Sequence, residues 1–134
     1  AYAHLFSYFR GEEWRTQKET QRLLDKYFTT KPNGIPGNDD TGTMSAWAIF
    51  NMIGFYPDCP GLPEYTLTTP VFNKVTIRLD PKWYKEKELV IESNRTQPGT
   101  LYINKVLLNG KKFNQYRITH DELVHSQRIL FDLK

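Results

Sequence analysis

Asn38, Asp39 and Asp40 place three oxygen-bearing side chains in a row, in a loop punctuated by Gly34, Pro36, Gly37 and Gly42. The chain then turns apolar from Thr43 to Ile53, with Met44, Trp47, Ile49, Phe50, Met52 and Ile53 spread around a helical circumference. A helix apolar all round is expected to be buried on all sides, and Gly54 followed by Pro57 ends it. The three polar residues thus stand just ahead of a helix N-terminus, where unpaired N–H groups carry about half a positive charge. Such a terminus keeps a carboxylate ionised and offsets desolvation, which would raise its pKa. An ionised carboxylate in a cleft suits a general base or a cation ligand better than a general acid. The competing reading is structural: Asp and Asn also serve as plain helix caps and turn formers.

Helices are expected on the N-terminal side of this loop. Residues 1–10 carry Tyr2, Leu5, Phe6 and Phe9 at helical spacing, and Gly11 closes that segment. Glu12 and Glu13 then open a second helix whose first turn is suitably acidic. Its buried stripe is predicted at Trp14, Leu23, Leu24, Tyr27 and Phe28, with Arg15, Lys18, Glu19, Arg22 and Lys26 facing water. An amphipathic helix, a loop and an all-apolar helix fit one outer and one inner helix of a double-layered helical barrel. Periodicity alone does not choose that packing over others.

After Tyr56 the texture changes. Pro57, Pro60, Gly61 and Pro63 make a rigid connector, and β-rich runs follow at Tyr65–Thr68, Val75–Leu79, Leu89–Glu92, Leu101–Leu108 and Ile129–Leu133. Asn109-Gly110 between apolar arms predicts a type I′ hairpin. Thr119, with Glu122 three residues on, predicts a capped helical turn. The expected class is α+β, with helices over residues 1–58 and a small antiparallel, sandwich-like β region over 59–134.

Composition narrows the function classes. The chain has 134 residues, 39% hydrophobic and 14% aromatic, which is ordinary globular usage. Net charge is +3, with the basic excess in the second half on lysines at strand edges and turns, where lysine blunts edge-to-edge pairing. No recognition motif accompanies that charge, so nucleic acid is not an expected partner. Cys59 is the only cysteine, which excludes an internal disulfide and a cysteine-based zinc site. His4, His120 and His125 lack zinc-ligand spacing and read as structural or exposed. An EF-hand is excluded as well, because a twelve-residue count from Asn38, Asp39 or Asp40 ends on Ile49, Phe50 or Asn51 rather than Glu. No run approaches the ~20 apolar residues of a membrane span. Asn94-Arg95-Thr96 forms an N-glycosylation triplet.

The string Gly-Ile-Pro-Gly-Asn-Asp-Asp-Thr-Gly-Thr-Met-Ser-Ala-Trp from Gly34 to Trp47, followed by Gly54-Phe55-Tyr56-Pro57, resembles the signature of glycoside hydrolase family 92, the calcium-dependent inverting exo-α-mannosidases. Trp14-Arg15-Thr16-Gln17 is similar to that family's Trp-Lys-Thr-Gln helix, and Pro70 to Ile77 resembles its passage into C-terminal strands. The resemblance implies the last helices of an (α/α)6-type barrel followed by the β region, as a C-terminal piece of a longer enzyme. It implies hydrolysis of terminal α-linked mannose, as in N-glycans or mannans, with Asp40 as general base. Asn38 is expected to help position water or substrate, and Asp39 is a further catalytic candidate. The resemblance also implies that the general acid is a Glu from an upstream part of the barrel; Glu12, Glu13 and Glu19 read as ordinary helix surface. Trp47 is a candidate sugar-stacking ring, with core packing as the competing role. Calcium is implied as cofactor without assignable ligands, and a secreted or periplasmic location is implied too. Thr41 and Thr43 depart from the family pattern, which bears on fine specificity. A non-catalytic carbohydrate-binding or structural module remains the alternative, with the two aspartates as mere caps.

Overall fold

The computed structural model describes residues 2–134; Ala1, the first residue of the expected N-terminal helix, lies outside them. A 3-10 helix covers Tyr2–Tyr8, followed by α1 (Glu13–Tyr27) and α2 (Thr43–Ile53). Next come β1 (Phe55–Tyr56), β2 (Glu64–Leu67), β3 (Lys74–Arg78), β4 (Glu88–Arg95), β5 (Ile103–Leu108), β6 (Lys111–Phe113) and β7 (Arg117–Thr119). The short helix α3 (His120–His125) and β8 (Arg128–Leu133) complete the chain.

The strands make two sheets. One is three-stranded and antiparallel in the order β1-β2-β7; the other is five-stranded in the order β3-β4-β8-β5-β6. The expected all-antiparallel β region is corrected here, because β4 and β8 run parallel from Val90/Arg128 to Arg95/Leu133. Chain order explains it: α3 carries the chain across before β8, so the last strand enters the middle of the sheet beside β4. The Asn109-Gly110 hairpin joins β5 to β6 with both residues at positive φ, as a type I′ turn requires. Thr119 and Glu122 form the reciprocal capping box of α3. β1 and β7 escape the sequence pattern, being too short for alternation to register.

One buried cluster takes Phe55, Leu67 and Ile118 from the first sheet and Leu89, Ile91, Ile103, Ile129 and Phe131 from the second. The two sheets therefore share a core. A closed (α/α)6-type barrel is not among the described residues, which contain the 3-10 helix, α1, α2 and the short α3; Phe50 and Ile53 of α2 pack against the core that the sheets share.

Two expectations about the helices are corrected. The α1 stripe holds at Leu24, with Leu23 and Phe28 packed in the same cluster, but Trp14 is 41% and Tyr27 40% exposed, and Thr16, Gln17 and Thr20 are buried instead. Polar side chains can line this interface because the backbone offers partners: Gln17 Oε1 accepts from the Ile103 N–H at 2.9 Å, and the Thr20 hydroxyl donates to the Thr16 carbonyl at 2.8 Å. The second correction is α2, which is not buried all round; Trp47, Ala48 and Asn51 face inward while Ile49 is 57% exposed. Hydrophobicity sets what a face prefers, and only packed neighbours bury it.

The C-terminal end of α2 is tied firmly to the sheets. Gly54 ends the helix at φ 118°, and a Cβ there would meet Pro70 Cβ at 3.2 Å and the Phe131 ring at 3.5 Å. The carbonyls of Asn51, Met52 and Gly54 accept from the Thr68 hydroxyl, the Val71 N–H and the Thr68 N–H at 3.2, 2.8 and 2.9 Å. These bonds satisfy carbonyls that a helix end leaves open.

The 3-10 helix is held by a buried polar cluster. His4 is 1% exposed, stacks on Tyr56 at 4.6 Å and accepts the Trp47 indole N–H at Nε2 over 3.2 Å. Its neighbour Ser7 reaches the Thr66 hydroxyl, which donates to Asp58; Asp58 is also paired with Arg117. Burial lowers the His4 pKa from 6.5 to about 4, against the opposing pull of Asp58. The unfolded chain therefore binds more protons than the folded one between those values, and stability falls as pH drops through that window. The expected loss from pH 6.5 to 4 is about 3 kcal/mol at His4. Urea unfolding across that range should show it, and His4→Gln should flatten the slope.

Candidate active site

The loop from Phe28 to Gly42 leads from α1 to α2, and close backbone packing shapes its beginning. The Thr29 N–H donates to the Gly34 carbonyl at 2.9 Å, and a Cβ on Gly34 would lie 2.0 Å from the Thr29 carbonyl oxygen. Only glycine fits there. The loop's end then turns through three successive residues at positive φ: Asp40 at 39°, Thr41 at 61° and Gly42 at 90°. For a β-branched residue such as Thr41 this is a true outlier, costing on the order of 1–3 kcal/mol unless its surroundings impose it.

Asp39 supplies part of that imposition. Its Oδ1 accepts the Ser45 N–H at 2.7 Å, and its Oδ2 accepts the Ser45 hydroxyl at 2.5 Å. The side-chain and backbone bonds from Ser45 hold the Asp39 carboxyl below its ordinary pKa. The Asp40 carbonyl accepts from the Thr43 hydroxyl at 2.8 Å and from the Thr41 hydroxyl at 2.5 Å. The positive end of α2 is thus answered by Asp39.

Asp40 and Asn38 are both exposed, and Asp39 is half-buried. Among the described residues no hydrogen bond engages the Asp40 carboxylate, so two adjacent aspartates have opposite circumstances: one is locked, the other free to meet a water. Glu12 pairs with Arg15 at 2.7 Å, Glu19 pairs with Arg22 at 2.8 Å and Glu13 accepts the Gly11 N–H at 2.8 Å. These three are helix surface with partners of their own.

Trp47 belongs to the core. It is 8% exposed, stacks on Phe28 at 5.5 Å and is fixed by His4, so the sugar-stacking role gives way to packing. A cavity of about 720 Å³ opens beside it, lined by Phe6, Phe9, Leu23, Tyr27, Met44 and Trp47. Its walls are apolar, and its charged lining residues, Glu19 and Arg22, are paired with each other. A pyranose needs several placed polar groups for orientation, which this cavity does not offer.

No three His, Cys, Asp or Glu side chains converge as a metal cradle among the described residues. With Asp39 engaged by Ser45, the loop by itself does not supply the six to eight oxygens that a calcium ion takes. Two features are invisible to pattern reading. Ser45 gives no signal because its partner lies six residues back, outside the usual capping spacings. In the second, Arg117 reaches Thr66 and Asp58, whose side chain is 3% exposed, across 51 and 59 positions of sequence.

A free carboxylate on a braced loop at a helix N-terminus is the kind of group that hydrolases use to activate water. The chain belongs to glycoside hydrolase family 92: the model of the glycosyl hydrolase family 92 catalytic domain matches residues 1–134. It is similar to the family GH92 α-mannosidase BT3965 from Bacteroides thetaiotaomicron, whose structure in complex with mannoimidazole superposes with a TM-score of 0.88 at 31% identity, over 98% of this chain and 17% of that one. The inverting mannosidase BT2199 from the same organism gives a TM-score of 0.77 at 36% identity, over 91% of this chain and 16% of that one. A protein named as an uncharacterized secreted glycosidase from Arthroderma benhamiae is 28% identical over 114 residues, 85% of this chain and 14% of its own length. The chain thus spans about a sixth of these relatives. No helix among the described residues is long and apolar enough to cross a membrane.

Proposed function

We propose that these residues furnish the general-base side of an inverting α-mannosidase site that acts on terminal α-linked mannose in glycans. The observation carrying the proposal is the free, exposed carboxylate of Asp40 on a loop whose neighbour Asp39 already satisfies the helix terminus. Inversion requires a base that holds water on the face opposite the leaving oxygen, with the acid about 6.5–9.5 Å away to leave room for that water. Asp40 takes the water's proton as its oxygen attacks the anomeric carbon, while an acid from elsewhere in the enzyme protonates the departing oxygen. Asn38 orients the water or the substrate from the same loop. The relatives named as mannosidases support this substrate class, and the secreted relative supports an extracytoplasmic location. A calcium ion in the full-length enzyme would need oxygens from outside this loop.

The test is the anomeric configuration of fresh product. With the full-length protein and an α-mannoside, proton NMR during the first turnovers should show β-mannose before mutarotation. α-Mannose as the first product would overturn the inverting reading.

A further inference from the structure

We infer that Asp39 and Ser45 act as one positioning unit that sets the direction of the Asp40 carboxylate; this rests on Asp40 being the base. Three observations carry it. Both Asp39 oxygens are spent on one residue, Ser45, in the first turn of α2. The intervening residues Asp40, Thr41 and Gly42 all lie at positive φ, a conformation that Thr41 adopts only under outside constraint. Finally, the far end of α2 is pinned to the sheets through Asn51, Met52 and Gly54. The helix is therefore a fixed strut, and the double bond from Ser45 clamps the loop to its tip.

Seven residues from Asp39 to Ser45 span this clamp. Releasing it lets the left-handed turn relax toward ordinary φ, which rotates the Asp40 Cα–Cβ direction. Asp39 itself is a poor base, since its pKa is lowered and its oxygens are occupied. Its contribution to turnover comes through geometry, and displacement of a reacting group by about 1 Å can cost on the order of a hundredfold in rate.

The experiment uses the full-length enzyme with Ser45→Ala, Asp39→Asn and the double variant, assayed on an α-mannoside. Each single variant should lose roughly tenfold to a hundredfold in kcat with KM within about twofold of wild type. The double variant should be no worse than the poorer single one, because both changes open the same clamp. Ser45→Thr, which keeps the hydroxyl, should restore most of kcat. If Ser45→Ala and Asp39→Asn fold, melt a few degrees lower and keep wild-type kcat, the pair is only a helix cap and the inference fails. Should Ser45→Ala fail to fold, comparing Asp39→Asn with Ser45→Thr decides the same question. Failure of the base assignment looks different: Asp40→Asn would then turn over normally, whatever the clamp variants do.

Discussion

Replacing Asp40 by Asn in the full-length protein should lower kcat on an α-mannoside by roughly 10²–10⁴-fold, the usual contribution of a general base. The amide keeps the size of the side chain and removes its capacity to take a proton. KM should change little, since the water is activated only as the transition state forms. Stability should barely move either. The Asp40 side chain is exposed, and it is the backbone carbonyl that receives the Thr41 and Thr43 hydroxyls. Surface substitutions without partners usually stay within about 0.5 kcal/mol. Steady-state kinetics beside a thermal melt will separate these effects. A drop in kcat accompanied by a collapse of Tm would mean the loop had unfolded rather than lost its base.

Phe131→Ala should have the largest effect on folding, about 3–5 kcal/mol, which is typical of a buried Phe reduced to Ala. The ring is 1% exposed in the centre of β8, the strand that pairs with both β4 and β5. Its tip also lies where a Cβ on Gly54 would be, 3.5 Å away, so it supports the turn that ends α2. Truncation therefore removes core volume common to both sheets and loosens the base of the strut that carries the Asp39–Gly42 turn. Chemical denaturation should show a lower midpoint with an unchanged slope. Phe131→Leu, which refills part of the space, should recover most of the loss.

The contrast between these sites shows what is legible in the sequence. The family string from Gly34 to Trp47 discloses the class of enzyme, and elements with strong local chemistry are legible too: the Asn109-Gly110 turn, the Thr119–Glu122 capping box and the Gly54 stop all follow rules that operate within a few residues. What escapes depends on distant partners. Gln17 reads as surface until Ile103 is found against it, 86 positions later. The α1 stripe is right at Leu24 and misleads at Trp14 and Tyr27, since hydropathy counts a Gln as outward-facing whatever its bonding. Ile49 misleads in the opposite sense, because an apolar residue reveals its preference and not its cover. In the loop before α2 the sequence shows the residue types and not their hydrogen-bond partners. Two neighbouring aspartates look alike in sequence, and only the Ser45 bonds distinguish the engaged carboxylate from the free one.

The role of Asp40 is tested most directly by chemical rescue of Asp40→Ala in the full-length enzyme with azide. Azide needs no deprotonation, so it can attack the anomeric carbon in place of water while the acid protonates the leaving oxygen. Turnover should return with rising azide, and the product should be β-mannosyl azide, with its nitrogen on the face that Asp40 serves. An Asp40→Ala enzyme that hydrolyses the mannoside at the wild-type rate without azide would contradict the assignment.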